Sequence, residues 1–354
     1  MIVNIKVENF MGFQRFEYAQ PSPLTVIIGK NDTGKTSLLK LLYANTKALV
    51  RANRTAKEVN LKQIISEKLY NTFMPRRSGL GELVSKSEEN ALDLNMAFAG
   101  EHRFNLHYGF SASAKEMLGH CSSEIYPMPE GFNALFLPAK EVLTAAQAIK
   151  DSRRDDRFLD FDDTYTDIID SLSIPAQKGK VVVALRHTSN MLEDLFEGEI
   201  IQNLQDTRNP FLFKKGNATF SMPLTAEGIK KIGILTTLIR NRELSRNTVL
   251  FLDEPETALH PQAQRKFAEM LYTISNIEGV QVFLSTHSYF MISQLAIIAR
   301  REQRTVNCIS IEKEAGKKFV DYQIHDLKNG LPDNSIIQEA QAMFREDMKV
   351  ELGL

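Results

Sequence analysis

Short apolar runs bounded by Gly and Pro alternate along this chain with longer stretches of helical spacing. Ile2 to Val7 and Arg15 to Tyr18 alternate apolar and polar positions, which predicts an antiparallel pair of strands. The same charged alternation argues against a signal peptide at this end. After Pro21 and Pro23, the run Leu24-Thr25-Val26-Ile27-Ile28 reads as a strand buried on both faces. A helix is expected from Gly34 towards Ala56, with Leu38, Leu39, Leu41 and Leu42 on its apolar side. Residues 75–132 are less regular, but Ala91–Ala99 and Arg103–Phe110 predict a hairpin around Gly100-Glu101-His102. Asn133–Leu137 is a further apolar strand. Residues 141–199 read as mostly helical, and Phe211–Phe213 with Ala218–Met222 as a hairpin.

Beyond this point strands and helices alternate cleanly. The pattern predicts a helix over Ala226–Asn241, a buried strand over Thr248–Leu252 and a helix over Pro261–Asn276. A buried strand over Val280–Ser285 and a helix over Tyr289–Arg300 follow. Late strands at Asn307–Glu312 and Phe319–His325 precede a closing amphipathic helix, Ser335–Leu352. Such alternation predicts an α/β sheet core. The stretch from 141 to 220 interrupts it. The expected organisation is therefore a core of residues 1–140 and 221–354, with 141–220 inserted as a mostly helical second lobe.

Three segments carry chemistry. Gly29-Lys30-Asn31-Asp32-Thr33-Gly34-Lys35-Thr36 fits GxxxxGK(S/T), the phosphate-binding P-loop, and lies between a buried strand and a helix. Gly29 and Gly34 permit the tight turn that points backbone N–H groups into one concavity. The backbone of Asn31, Asp32 and Thr33 and the following Ser37 complete the expected nucleotide cradle, at the positive end of a helix. Lys35 supplies charge to the terminal phosphates, and Thr36 is a ligand for Mg²⁺. The second segment, Val249-Leu250-Phe251-Leu252-Asp253-Glu254-Pro255-Glu256, delivers paired carboxylates at the end of an apolar strand. There Asp253 fits the Mg²⁺-holding Walker B role, and Glu254 fits the base that orients water. The third, Phe283-Leu284-Ser285-Thr286-His287-Ser288, brings His287 towards the same sheet edge, where an imidazole can bond a γ-phosphate or the attacking water.

In this order the segments resemble the ABC-type ATPase heads of the SMC, RecF and OLD-like group. The opening Ile5-Lys6-Val7-Glu8-Asn9-Phe10 is similar to the start of those heads. The likeness covers residues 1–45 and about 221–300 best. It implies a head in which two protomers sandwich ATP and Mg²⁺, with Lys35, Glu254 and His287 catalytic. It also implies a signature helix, for which Ser221-Met222-Pro223-Leu224-Thr225-Ala226-Glu227-Gly228 stands in the expected place. Thr225, Glu227 and Gly228 would then meet the partner's nucleotide, although Ala226 replaces the usual serine. The lobe-junction glutamine of such heads is absent after Leu137. Glu141 or Lys140 is the substitute implied, with Glu141 as a metal ligand; a plain helix start is the alternative.

Composition narrows the partners. With 43 Lys and Arg against 44 Asp and Glu in 354 residues, net charge is -1. That argues against a wholly basic nucleic-acid coat but allows a local stripe. Lys40, Lys47, Arg51, Arg54 and Lys57, with Arg76 and Arg77, offer such a DNA path, or else a solvated helix face. Arg153 to Asp163 reads as a mixed, solvated surface. Cys121 and Cys308 have no metal-type spacing and read as reduced thiols of a cytoplasmic protein without a membrane span. No heptad arms are present, and the stretch after Arg301 is too short for an appended nuclease domain. The resemblance therefore implies a dimerising ATPase that regulates a separate effector, a nuclease or toxin, in anti-phage defence. The alternative is a RecF-like DNA-binding ATPase. A P-loop kinase fits the acid pair and late histidine less well.

Overall fold

The computed structural model describes the chain except for residues 55–59, 76–78, 87–90, 100–102, 123–127, 153–160, 178–182, 204–205, 207, 209, 278 and 353–354. The first part holds β1 (Ile2–Phe10), β2 (Phe13–Ala19), β3 (Leu24–Gly29), α1 (Lys35–Arg54) and α2 (Leu61–Phe73). Next come β4 (Ala91–Ala99), β5 (Arg103–Ser111), β6 (His120–Cys121) and β7 (Asn133–Leu137). Helices α3 (Ala146–Ser152), α4 (Asp163–Ser173) and α5 (Val183–Phe196) lead to β8 (Glu199–Gln202), β9 (Phe211–Lys215) and β10 (Ala218–Ser221). The last part runs α6 (Glu227–Arg240), β11 (Thr248–Asp253), α7 (Pro261–Ser275), β12 (Gln281–Ser285), α8 (Tyr289–Arg301), β13 (Asn307–Glu312), β14 (Asp321–Asp326) and α9 (Ser335–Leu352).

The strand order of the central sheet is β14-β13-β3-β12-β11-β7. All its pairings are parallel except β13 with the edge strand β14. Strands β3, β7, β11 and β12 are buried at every position, as their unbroken apolar runs require. Alternate side chains feed two cores. Val26, Leu252 and Leu284 face one cluster; Ile27, Phe251 and Phe283 face the other. Phe251 and Phe283 stack across β11 and β12 with ring centroids 5.4 Å apart. On one side lies a second, antiparallel sheet of order β2-β1-β4-β5-β6. Buried Gln281 ties it to the central sheet, accepting from Ile2 N at 3.0 Å and donating to Ile2 O at 3.1 Å. On the other side, Ile168, Leu172, Ile200 and Phe213 from α4 and the small sheet β10-β9-β8 join the core of α6 to α8.

Helix α2 is not anticipated by the sequence reading. Asn60 caps it, accepting from Gln63 N at 3.1 Å, and Met74 ends it in a left-handed conformation. Its inner face carries Lys68, fully buried, which donates to Asp163 Oδ2 at 2.6 Å and also to Asp167 of α4. Tyr43 of α1 donates to the same Asp167 carboxylate at 2.5 Å. Two cations of the basic stripe expected along α1 also find partners within the fold. Lys40 pairs with Asp162 at 2.5 Å, and buried Lys47 donates to Ala134 O at 3.0 Å. Both cations have partners within the fold, Lys40 remaining partly exposed; Arg51 and Arg54 are exposed, and Lys57, Arg76 and Arg77 lie outside the described residues. Helix α9 forms as expected, yet Ile337 alone is buried among its described residues, and Met343, Phe344, Met348, Val350 and Leu352 are exposed. Cys121 and Cys308 are free thiols. Among the described residues no helix is long and apolar enough to cross a membrane.

The buried cluster sets an acid limit. Burial raises the Asp167 pKa, but Lys68 and Lys47 outweigh it and bring the carboxyl down to about 2. Its contribution is therefore complete above the ordinary aspartate value of about 3.9 and is lost as pH falls towards 2. Lys68→Met removes the cation from a buried cluster and is expected to cost about 3–5 kcal/mol in denaturant unfolding near neutral pH. The variant should also lose less stability than the parent between about pH 4 and 2.

Candidate nucleotide site

The site is assembled where β3, β12 and β11 end together. At the end of β3, Gly29 has φ 155°, and a Cβ there would lie 2.3 Å from the Ile311 carbonyl oxygen of β13. Gly34 has φ 87°, and a Cβ would meet the Phe13 ring at 2.9 Å. Larger residues at either place would displace the loop. Asn31 and Asp32 form its exposed tip, Asp32 at φ 62°. Thr33 closes the loop by donating to Lys30 O at 2.9 Å. Lys35 is buried and folds back, its ammonium donating to Gly29 O at 3.1 Å and Lys30 O at 2.9 Å. Burial lowers the Lys35 pKa against the pull of Glu254, Asp253 and Glu256. Beside the loop opens a cleft of about 370 Å³, lined in part by Met11, Gly12, Thr33, Ser37 and Phe319.

The acid pair meets this loop directly. Thr36 Oγ1 donates to both Asp253 oxygens, at 2.9 and 3.0 Å. Ser285, at the end of the intervening strand, donates to Asp253 Oδ1 at 2.6 Å. Burial raises the Asp253 pKa, opposed by these two hydroxyls. Thr36 and Asp253 thus place two hard oxygen donors side by side, a set that fits Mg²⁺. Glu254 takes the left-handed φ of 43°. Five contacts hold its backbone there: its N–H donates to Ser285 O at 3.2 Å and Oγ at 3.1 Å, and its carbonyl accepts from Lys231 Nζ at 3.2 Å and from Thr257 N at 3.2 Å and Oγ1 at 2.8 Å. The carboxylate then stands 3.1 Å from His287 Nε2. The alignment of that contact is not that of a hydrogen bond, and Nε2 is buried without one. Lys35, Thr36, Asp253, Glu254 and His287 are therefore gathered at one sheet edge.

Three contributors were not singled out by sequence reading. Ser285 bridges the acid pair. Glu256 Oε1 accepts from Thr286 Oγ1 at 2.6 Å and from His287 N at 2.9 Å, fixing the histidine turn. Buried Lys231 supports the Glu254 carbonyl, and burial lowers its pKa against Glu256, Glu227 and Glu254. Ser285 and Glu256 sit inside the quoted motifs, so the signal was adjacency; Lys231 had none.

Two expected residues are placed differently. The Glu141 carboxylate accepts from Thr144 N at 3.1 Å and from Leu143 N, and lies 3.6 Å from Lys230 Nζ. These are the contacts of a turn cap, the plain helix start that stood as the alternative to a metal ligand. Thr225 is buried and donates to Ser221 O at 3.0 Å, so its hydroxyl is turned into its own turn. Glu227 pairs with Lys230 at 3.0 Å. Helix α6 starts at Ala226 without a side-chain cap, and a Cβ on Gly228 would press on Leu259 at 2.9 Å and on Ala258 O at 3.0 Å.

A parallel sheet that gathers a P-loop, a strand-borne acid pair and a histidine at its carboxyl edge defines a P-loop ATPase head of ABC type. The comparisons agree with that class. Residues 1–167 match the family model described as AAA ATPase domain. Residues 118–293 match the one described as AAA domain, putative AbiEii toxin, Type IV TA system. The Old nuclease of Escherichia phage P2 is 51% identical over 85 residues, 23% of this chain and 13% of that protein. The chain thus matches only a small part of that relative's length. A crystal structure of an Smc head bound to the C-winged helix domain of ScpA superposes with TM-score 0.54 at 12% identity, over 93% of this chain and 99% of that one. An Smc head from Pyrococcus furiosus with an extended coiled coil, bound to the C-terminal domain of ScpA, gives 0.51 at 12% identity, over 98% and 99%. The chain thus resembles AAA-type P-loop ATPases in sequence and the Smc head in fold, with a short stretch like the Old nuclease.

Ser285→Ala removes hydrogen bonds to the Asp253 carboxylate and the Glu254 N–H. A bond to a charged group contributes roughly 1.5–3 kcal/mol. ATP hydrolysis is accordingly expected to fall about 10- to 100-fold. Nucleotide affinity, read by titration of a fluorescent ATP analogue, should change much less.

Proposed function

We propose that the protein binds ATP with Mg²⁺ and hydrolyses it, and that two copies close around the nucleotide to control a separate effector chain. The observation that carries this reading is the contact of Thr36 with Asp253, beside a Glu254 whose backbone is held in place and whose carboxylate faces His287. The loop amides and Lys35 cradle the phosphates, the Lys35 ammonium leaving its own loop carbonyls for them. Thr36 and Asp253 hold the metal, which when bound offsets the charge of the phosphate oxygens. Glu254 accepts a proton from water as its oxygen bonds to the γ-phosphorus. The bond from that phosphorus to the bridging oxygen breaks, and ADP and phosphate leave. His287 acts beside Glu254 on the water or the γ-phosphate. The cleft against Met11, Gly12 and Phe319 suits the nucleoside end.

The dimer rests on the uncapped start of α6, whose free N–H groups at Glu227 and Gly228 suit an anion brought by the second copy. The effector as a nuclease or toxin, and a role in antiviral defence, rest on the names of the Old nuclease and the AbiEii-type model. The alternative is a DNA-binding ATPase of repair, for which exposed Arg51 and Arg54 of α1 are candidate contacts while buried Lys47 is engaged within the fold.

Glu254→Gln keeps the size of the side chain and removes the base. Hydrolysis is expected to fall at least about 100-fold, ATP binding to persist, and the mass in solution with ATP and Mg²⁺ to double. Equal hydrolysis by parent and variant would overturn the base assignment, and a monomeric mass would overturn the closed dimer.

A further inference from the structure

Away from the nucleotide cleft, three donors converge on the outer face of the antiparallel sheet. Asp93 of β4, His107 of β5 and His120 of β6 each bring one ligand atom within 4.8 Å of the other two. His107 Nε2 is 2.9 Å from Asp93 Oδ1, and His120 Nε2 is 3.8 Å from the same oxygen. Ligands of a tetrahedral Zn²⁺ with bonds of about 2.0–2.2 Å stand roughly 3.3–3.6 Å from one another. The separations bracket that value.

The strands are built to allow this. Asp93 pairs with Gly109, and Gly109 pairs with His120, so the three positions lie in one row across the sheet. A Cβ on Gly109 would lie 2.5 Å from His120 Cε1. The missing side chain lets the imidazole lie across β5 towards Asp93. His107 is two residues earlier on the same face, its ring 5.1 Å from that of His120. Ser122 Oγ stands 3.0 Å from His107 Nδ1. Without metal, Nε2 donates to Asp93; an ion would take the place of that proton, with Nδ1 then donating to Ser122. Glu8, opposite Asp93 on β1, adds negative charge and is held by Lys6 at 3.0 Å. All three donors are partly exposed, so a hydrated ion can reach them.

We infer that Asp93, His107 and His120 form a site for a divalent transition-metal ion, Zn²⁺ by preference, which clips the two-residue strand β6 onto the sheet. Two imidazoles and one carboxylate suit Zn²⁺ and Co²⁺ and are poor partners for Mg²⁺. A fourth position remains for water. The site is separate from the Thr36 and Asp253 pair and does not depend on it.

The full chain, free of nucleotide and stripped with chelator, is titrated with Co²⁺ and then Zn²⁺. One equivalent of Co²⁺ should give the visible absorption of a tetrahedral site, and Zn²⁺ should displace it. Zn²⁺ should raise the melting temperature of the chelated protein. His120→Ala and Asp93→Asn should abolish both signals and leave ATP hydrolysis at the parent rate, whereas His187→Ala, at an exposed helix position, should keep them. Each variant is compared with its own chelated sample, so a general loss of stability does not mimic the result. No absorption at tenfold excess Co²⁺ in the parent would overturn the site. So would equal binding in the parent and a His107→Ala, His120→Ala double variant.

Discussion

The contact on which the rest depends is the one between the Thr36 hydroxyl and the Asp253 carboxylate, with Ser285 between their strands. Thr36 belongs to the helix after β3, and Asp253 ends β11, two strands away. They meet because β3, β12 and β11 are parallel and adjacent, so their carboxyl ends collect on one edge. Register does the remainder. Asp253 lies opposite Ser285, and Ser285 opposite Ile27. A slip of one residue would turn Asp253 to the other face and carry Phe251 out of its core. The two apolar clusters therefore fix polar chemistry they do not touch.

Electrostatics show why this edge is suited to a nucleotide. Asp253, Glu254 and Glu256 lie within reach of Lys35 and Lys231 in a poorly solvated place. Burial lowers the pKa of both lysines and raises that of Asp253. The lysines are stabilised by the neighbouring carboxylates, and Asp253 chiefly by the Ser285 and Thr36 hydroxyls. Lys35 rests on carbonyls of its own loop and Thr36 on the Asp253 carboxylate. The donors are held in position by bonds that phosphate oxygens and a metal can replace, so little reorganisation is needed on binding.

Much of this was legible in the sequence, because fully buried parallel strands write unbroken apolar runs and the P-loop writes its glycines. Helix α2 was not. Its Asn60 cap and the spacing of Leu61, Ile65 and Leu69 are present, but Lys68 falls on the apolar side and hides the face. The partners that admit that lysine, Asp163 and Asp167, come nearly a hundred residues later. The partners of Glu141 and Lys40 are equally illegible in the sequence: Lys230 and Asp162 come from segments about ninety and a hundred and twenty residues away. Local pattern shows which residues can be buried, whereas the charge that compensates a buried ion is chosen by tertiary structure.

The same compensating charges tie the nucleotide edge to the helices on the far side of the sheet. Helix α1 begins at the P-loop and is joined to α4 and the turn before it through Lys40 with Asp162 and Tyr43 with Asp167. Helix α6 begins at the uncapped Ala226 and bears two adjacent buried lysines that point different ways. Lys230 reaches Thr144 at 2.8 Å and Glu141 at 3.6 Å, in the turn before α3, while Lys231 reaches the Glu254 carbonyl. Neighbouring positions on a helix are about 100° apart. One turn of α6 thus grips both the acid pair and the segment after β7. These are directional bonds in low dielectric, and a shift of either helix must break them or carry them along. Glu254 and the N-terminal part of α1 are thus joined to the turn before α3 and to α4 by direct contacts of buried or half-buried side chains.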